Sequence, residues 1–248
     1  RAVEIAMAAA LLWAVHPLQT NAVTYLVQRM KGKGFLLSAI EDKTGEMWKD
    51  PVFTDAMLMM KDLWDKGFIP PESLGYQWPA AQQTLATGKA AMELCGGWLP
   101  NELSDMAGPD FNWGGFNFPA VEGGVGKVTD LQQWLLAFGI LEDTEHPEEA
   151  KMFLKYVMTY DSQARLTEAL QGAVRKGVEW PGPMADGAIA SENATDVLDH
   201  VDGGTASYAE FTNNVLYFHF LPAFLGEEPA EEFGNTMAAA AKAYWEGK

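Results

Sequence analysis

The sequence is poor in the residues that build disulfides and metal centres. It contains one cysteine, Cys95, among 248 residues. An internal disulfide is therefore excluded, so the chain requires no oxidising compartment, and a periplasmic one stays open. The histidines show none of the paired spacings of a zinc site; they occupy positions 16, 146, 200 and 219. We expect no metal and no cofactor, and we expect Cys95 to be a small buried apolar residue.

Basic residues and long apolar runs are also scarce. Seventeen Lys and Arg face 34 Asp and Glu, and the net charge of −17 disfavours nucleic acid and anionic membrane surfaces as partners. No apolar run approaches the about 18 residues of a membrane span, so we expect no membrane insertion. The longest, Ile5 to Val15, has the length of a signal-peptide core but lacks a clear cleavage pattern. A buried or loosely attached amphipathic helix is the favoured interpretation of that segment.

Motifs for covalent or phosphate chemistry are missing as well. Gly123 to Lys127 resembles a phosphate loop, but Val121 and Val128 stand where that motif needs glycine and a hydroxyl residue. No Gly-x-Ser-x-Gly elbow occurs. Carboxylate pairs such as Glu93 with Glu102, or Asp130 with Glu142, are expected in so acidic a chain and favour solvated surface. We therefore predict no enzyme.

What the chain does contain is a strong helix signal after residue 50. Asp50 can cap a helix with Pro51 in its first turn, and Gly67 can end it. Apolar residues at helical spacing predict a buried stripe: Val52, Phe53, Ala56, Met57, Met60, Leu63 and Trp64. The hydrophobic fraction of 48% is ample for a core in one large or two small domains.

Other elements follow from shorter patterns. Gln82 to Thr87 predicts a helix ended by Gly88, then a buried strand from Ala90 to Cys95 and a corner of two glycines before Trp98. Further predictions are strands at Phe111–Pro119 and Gln132–Ile140, a helix at Pro147–Tyr160, and a final helix at Pro229–Trp245.

Tryptophans on predicted loops form the main functional signal. They are Trp78, Trp98, Trp113, Trp134 and Trp180. An aromatic plane suits the flat C–H face of a pyranose, and a few fixed polar groups suit its hydroxyls. The nearest polar candidates in the sequence are Asn101, Glu102, Gln133 and Arg175. From spacing alone, Trp98 is also compatible with a core ring and each polar candidate with ordinary surface.

Three stretches resemble the extracellular solute-binding proteins that deliver sugars to ABC importers. They are AAQQTLATGKAAMELCGGWLPNEL (80–103), QQWLLAFGILEDTEHPEEAKMFLKYVMTYDSQARL (132–166) and QGAVRKGVEWPG (171–182), the last resembling a loop near the family's hinge. The resemblance implies that the tryptophan of the glycine corner stacks on a sugar ring. The expected ligand-binding residues are Trp78, Gly97, Trp98, Gln133, Trp134 and Arg175.

The resemblance covers residues 34–248 and implies an α/β fold of the periplasmic-binding-protein type, two lobes closing on a ligand. Most of the first lobe has no counterpart here. Residues 34–130 would belong to the second lobe, 131–175 to a first-lobe or hinge fragment, and 176–248 to C-terminal helices of the second lobe. Residues 1–33 look like an added helical head; HPLQTNAVTYLVQR resembles a segment of tetratricopeptide-repeat membrane proteins.

The function implied is binding of a small carbohydrate for an ABC transporter, with weak competence because the site is incomplete. Its partners would be the transporter's membrane subunits, and its location periplasmic or extracytoplasmic. An inert protein-interaction module is the alternative, and a glycoside-acting enzyme is third. Tryptophans sharing an open concave face would favour a receptor, whereas two facing carboxyls there would favour an enzyme.

Overall fold

The computed structural model describes residues 19–70, 72, 79–133 and 137–248, which form two compact units. Unit 1 comprises the described residues up to Leu94 together with Asn117–Gln133 and Thr195–Lys248. Unit 2 comprises Cys95–Phe116 and the described part of 134–194. The assignment of 34–130, 131–175 and 176–248 to lobes stays a prediction.

Unit 1 is mainly helical. Its α-helices are α1 (Gln19–Lys31), α2 (Phe35–Glu41), α3 (Pro51–Asp65), α4 (Ala80–Ala86), α9 (Gly204–Ser207), α10 (Ala209–Phe211), α11 (Tyr217–Leu225) and α12 (Phe233–Glu246). Short 3₁₀ turns at Glu46–Lys49, His200–Gly203 and Ala230–Glu232 and a π-turn at Thr212–Leu216 join some of them. The strands β1 (Asp130–Gln133) and β2 (Asp196–Asp199) also belong to unit 1.

Helix α3 lies in the core of unit 1, as the sequence predicts. The Asp50 side chain accepts a hydrogen bond from the Val52 N–H, and Gly67 takes a φ of 71° just after the helix. The predicted stripe is buried as far as Leu63, and Trp64 is half-buried. Trp48 packs against Phe53 with ring centroids 4.5 Å apart. The predictions for α4, with Gly88 at a φ of 71°, and for the final helix are confirmed within a few residues.

Helix α1 is part of this core rather than a segment laid on its surface. Val23, Leu26 and Val27 are buried among its apolar residues. Arg29 is fully buried, and its guanidinium donates to the Tyr25 hydroxyl and to the backbone carbonyls of Phe118 and Asp130, besides pairing with the Asp130 carboxylate at 3.4 Å. Removing one partner of such a buried pair costs about 3–5 kcal/mol. The rest of the predicted head, with Ile5–Val15, lies outside the described residues.

In unit 1, β1 and β2 pair in parallel, with Asp130 opposite Asp196 and Gln133 opposite Asp199. The predicted strand Gln132–Ile140 is therefore wrong in its bounds. Residues 134–136 lie outside the described residues, and 137–140 are exposed without regular structure. An apolar run becomes a strand only where another strand pairs with it, and none does so over 137–140.

Two further strand predictions are also wrong, for the same reason. Residues 90–95 are largely half-buried and contain a single bridge residue, Met92, while residues 111–119 form no strand. Cys95 is half-buried rather than buried.

Unit 2 contains four α-helices within its described residues. They are α5 (Leu99–Ala107), α6 (Pro147–Val157), α7 (Tyr160–Glu168) and α8 (Ala185–Glu192). The predicted helix Pro147–Tyr160 is confirmed as α6, which ends at Val157. The Thr159 side chain then caps α7 by accepting from the Ser162 N–H. No residue of α6 is buried. Among the described residues, no helix is both long and apolar enough to cross a membrane.

Candidate functional site

The glycine corner of unit 2 presents Trp98 at the start of α5. The Gly96 carbonyl accepts from the Leu99 N–H, and Leu99 and Leu103 anchor the helix by burial. A Cβ on Gly96 would lie 1.9–2.3 Å from atoms of the Trp98 ring, whereas nothing lies within 4 Å of one on Gly97. The corner thus needs glycine at 96 because the indole folds back over that backbone. Trp98 is half-buried.

The polar candidates of unit 2 are held by helix ends. The Asn101 side-chain amide donates to the Ala169 carbonyl at 2.6 Å, just after α7. Arg175 donates to the Met158 carbonyl at 2.9 Å, where a cation suits the negative end of α6. Both residues are exposed, so Arg175 keeps further N–H groups for a ligand. These contacts give both residues a structural role beside any binding role.

Two other tryptophan-bearing loops of unit 2 contact α8. Trp113 packs on Phe111 with centroids 4.5 Å apart, and the nearby Gly115 N–H donates to the Asp186 carboxylate at 2.8 Å. The ring of Trp180 lies 3.7 Å from the Cβ position of Gly187. Helix α8 therefore joins these loops. The tryptophans at 78 and 134 lie outside the described residues, so the shared face expected for Trp98 and Trp134 stays a prediction.

Polar side chains gather at the carboxyl end of β1–β2 in unit 1. The Gln133 amide donates to the Asp199 carboxylate at 3.5 Å, and both residues are exposed. Behind them, Gln132 Nε2 lies 3.0 Å from His200 Nδ1, and His200 Nε2 lies 3.2 Å from the Tyr217 hydroxyl. Burial lowers the pKa of His200 below 6.5 and raises the pKa of Tyr217 to about 12. Both side chains are therefore uncharged near neutral pH.

Sequence reasoning found Gln133 in this group and missed Asp199, His200 and Tyr217. The available signal was a polar pair, Asp-His, directly after the short run Asp196–Leu198, but four residues are too few for periodicity to identify a strand. No group of three or more His, Cys, Asp or Glu that could hold a metal ion occurs in the described ranges.

Comparison with known proteins identifies the family. The sequence profile of the bacterial extracellular solute-binding proteins matches residues 8–164, more than half of the chain. This chain belongs to that family. The match includes most of the predicted head, and the resemblance of that head to tetratricopeptide-repeat proteins is not shown. No curated protein matches the chain at a significant level.

Two solved structures share the fold of this solute-binding family member. A chitin oligosaccharide binding protein matches with a TM-score of 0.73 and 23% identity, over 92% of this chain and 57% of that one. A protein from biochemical and structural work on xylan utilization by the thermophilic bacterium Caldanaerobius polysaccharolyticus matches with a TM-score of 0.65 and 19% identity, over 89% and 57%. The predicted α/β fold of the periplasmic-binding-protein type is confirmed, and the chain spans 57% of the length of these structures.

Proposed function

We propose that this chain is the carbohydrate-binding part of an ABC importer's receptor and that Trp98 stacks on the sugar. The family match supports solute binding, and the printed name of the first structural neighbour favours an oligosaccharide. The observation that carries the proposal is the half-buried indole folded over Gly96, a flat apolar surface held on a rigid corner.

The ligand class we propose is a neutral oligosaccharide of the kind derived from chitin or xylan. We assign polar or backbone contacts with the sugar to Gly97, Gln133 and Arg175 and further stacking to Trp78 and Trp134. A charge of −17 is compatible with a neutral ligand. The protein acts without catalysis, outside the cytoplasm, and in complete form contacts the importer's membrane subunits.

Binding by this chain alone will be weak, because 43% of the length of the related structures has no counterpart here. A sugar surrounded on all sides buries most of its surface, whereas a partial site leaves hydroxyls in water. Each about 1.4 kcal/mol of lost contact is tenfold in Kd. We expect Kd values in the millimolar range.

Saturation-transfer NMR and calorimetry with N-acetylchitotriose, xylotriose and maltotriose test this function. We expect saturation transfer from the protein to at least one trisaccharide, lost in Trp98→Ala and kept in the control Phe153→Ala, an exposed aromatic on α6. Equal binding by both variants would overturn the role of Trp98. Micromolar binding by the chain alone would show that the site is complete.

A further inference from the structure

The carboxyl end of the β1–β2 pair has the position and chemistry of a second polar site. Gln133 and Asp199 are opposite each other in the parallel register and end their strands together. In open α/β sheets, ligands bind outside the carboxyl ends of parallel strands. Both side chains are exposed there, one a carboxylate and the other an amide. These are groups that accept from and donate to sugar hydroxyls.

The backbone beneath Asp199 is fixed from two sides. The amide of Gln28, on α1, donates to the Asp199 carbonyl at 3.1 Å. The Thr205 hydroxyl donates to the His200 carbonyl at 3.3 Å. Leu198 is buried directly before Asp199. A binding group on such a supported backbone loses little freedom when it captures a ligand.

The hydrogen bonds behind the edge specify one tautomer of His200. Gln132 Nε2 carries hydrogens and only donates, so His200 Nδ1, 3.0 Å away, accepts. The proton of the neutral ring then lies on Nε2, which donates to the Tyr217 hydroxyl oxygen at 3.2 Å. A proton on Nδ1 would place two donors face to face, and the Gln132 amide would have to rotate so that its oxygen accepts instead. The chain Tyr217–His200–Gln132 therefore holds the Gln132 side chain in one orientation at the end of β1.

We infer that Asp199 and Gln133 bind adjacent hydroxyls of a sugar. His200 is a positioning residue, because its hydrogen bond to Gln132 links the ends of β1 and β2 and so holds Gln133 beside Asp199. A carboxylate can accept from two neighbouring hydroxyls, so the group recognised is a vicinal diol. This inference rests on the proposed function and assigns the binding of sugar hydroxyls to the carboxyl edge of β1–β2.

The binding half is tested with Asp199→Asn against the matched control Asp196→Asn, at the opposite end of β2 and also exposed. Titration of the chain with the trisaccharide that binds best should show at least a tenfold rise in Kd for Asp199→Asn and less than a twofold change for Asp196→Asn. If Asp199→Asn binds normally while Trp98→Ala does not, this inference is wrong and the proposed function stands. If no trisaccharide binds, both are wrong.

The positioning role of His200 is tested by locating the proton on its ring and by comparing two substitutions at position 200. Long-range ¹⁵N NMR of the ligand-free chain should show the His200 proton on Nε2, and a proton on Nδ1 overturns the positioning role whatever the sugar result. The oxygen of an Asn side chain can take the place of Nδ1, whereas that of Gln reaches toward Nε2. His200→Asn should therefore bind within threefold of the natural chain, and His200→Gln at least tenfold more weakly. Equal losses of sugar affinity in His200→Asn and His200→Gln, with the Tm of both unchanged, would contradict the inference.

Discussion

The indole of Trp98 shows how one missing Cβ sets the position of a side chain. Gly96 and Gly97 are adjacent and chemically identical, yet the ring covers the first and leaves the second open. Neither takes a positive φ, so the requirement at 96 is space rather than backbone conformation.

Gly96→Ala should therefore displace the Trp98 ring, and Gly97→Ala should not. The methyl group of the introduced alanine would lie 1.9–2.3 Å from atoms of the Trp98 ring, a distance that forces that side chain to move. We expect a change in tryptophan fluorescence, a loss of about 1–3 kcal/mol of stability and loss of sugar binding. Intact binding in Gly96→Ala would show that the position of the indole does not matter.

The burial of His200 should make the free energy of unfolding depend on pH. Its pKa is lowered by burial, so the unfolded chain takes up a proton on this ring at a higher pH than the folded chain does. Stability is thus fully present above about pH 6.5 and falls as the pH drops from there toward the lowered pKa. Urea unfolding from pH 8 to 5 should show a smaller fall for His200→Asn than for the natural chain. His146→Asn, at an exposed position, is the control, and an identical curve for His200→Asn would contradict the assignment.

At the scale of elements, α2 depends on a residue far along the chain. The Asp202 carboxylate accepts from the N–H groups of Gly34, Leu36 and Leu37 at 2.7, 3.1 and 3.3 Å. Asp202 takes a φ of 56°, which Asp and Asn tolerate better than other side chains. The cap of α2 is thus supplied by a turn next to β2.

Asp202→Ala should cost about 2 kcal/mol of unfolding free energy, because the cap is lost and the positive φ is retained. Asp202→Asn tolerates the same φ and keeps one acceptor oxygen, but its NH2 group replaces the other oxygen and cannot accept, so its loss should be about 1 kcal/mol. Urea denaturation measures both. Equal losses would mean that the charge, rather than the acceptor and the backbone, determines the effect.

Local signals explain which elements the sequence could predict. Asp50, Pro51 and Gly67 bound α3 within its own segment, so its existence and buried face follow from nearby residues. The partner of β1 begins at Asp196, and no pattern within 130–140 indicates it. The same limit applies to the candidate site: Trp98 could be found from its glycine corner, whereas His200 and Tyr217 meet Gln132 only after folding.

At the scale of the whole molecule, unit 2 exposes an apolar surface. Phe153 on α6 contacts Phe138 with ring centroids 6.3 Å apart, and exposed apolar neighbours along the chain are Leu141, Met152 and Tyr156. Exposed apolar clusters of this kind mark interaction surfaces or sites of self-association.

The isolated chain should bind the dye ANS and self-associate through this surface. Met152→Lys with Phe153→Lys should lower both ANS fluorescence and the associated fraction in ultracentrifugation, with little change in Tm, because neither side chain is buried. Phe218→Lys, an exposed aromatic of unit 1, is the control and should leave association unchanged. If the α6 variant associates as the natural chain does, another surface is responsible.

The buried Arg29 also sets an order of events during synthesis. Its carboxylate partner, Asp130, lies 101 residues further along the chain. Gln28 donates to the carbonyl of Asp199, which is 171 residues away in the sequence. Contacts this distant in sequence slow folding, since a long loop must close before they form. Helix α1 leaves the ribosome long before β2 exists, with the guanidinium of Arg29 still in water. Unit 1 therefore reaches its native packing only after residues 195–248 have been synthesised, and α1 depends on them.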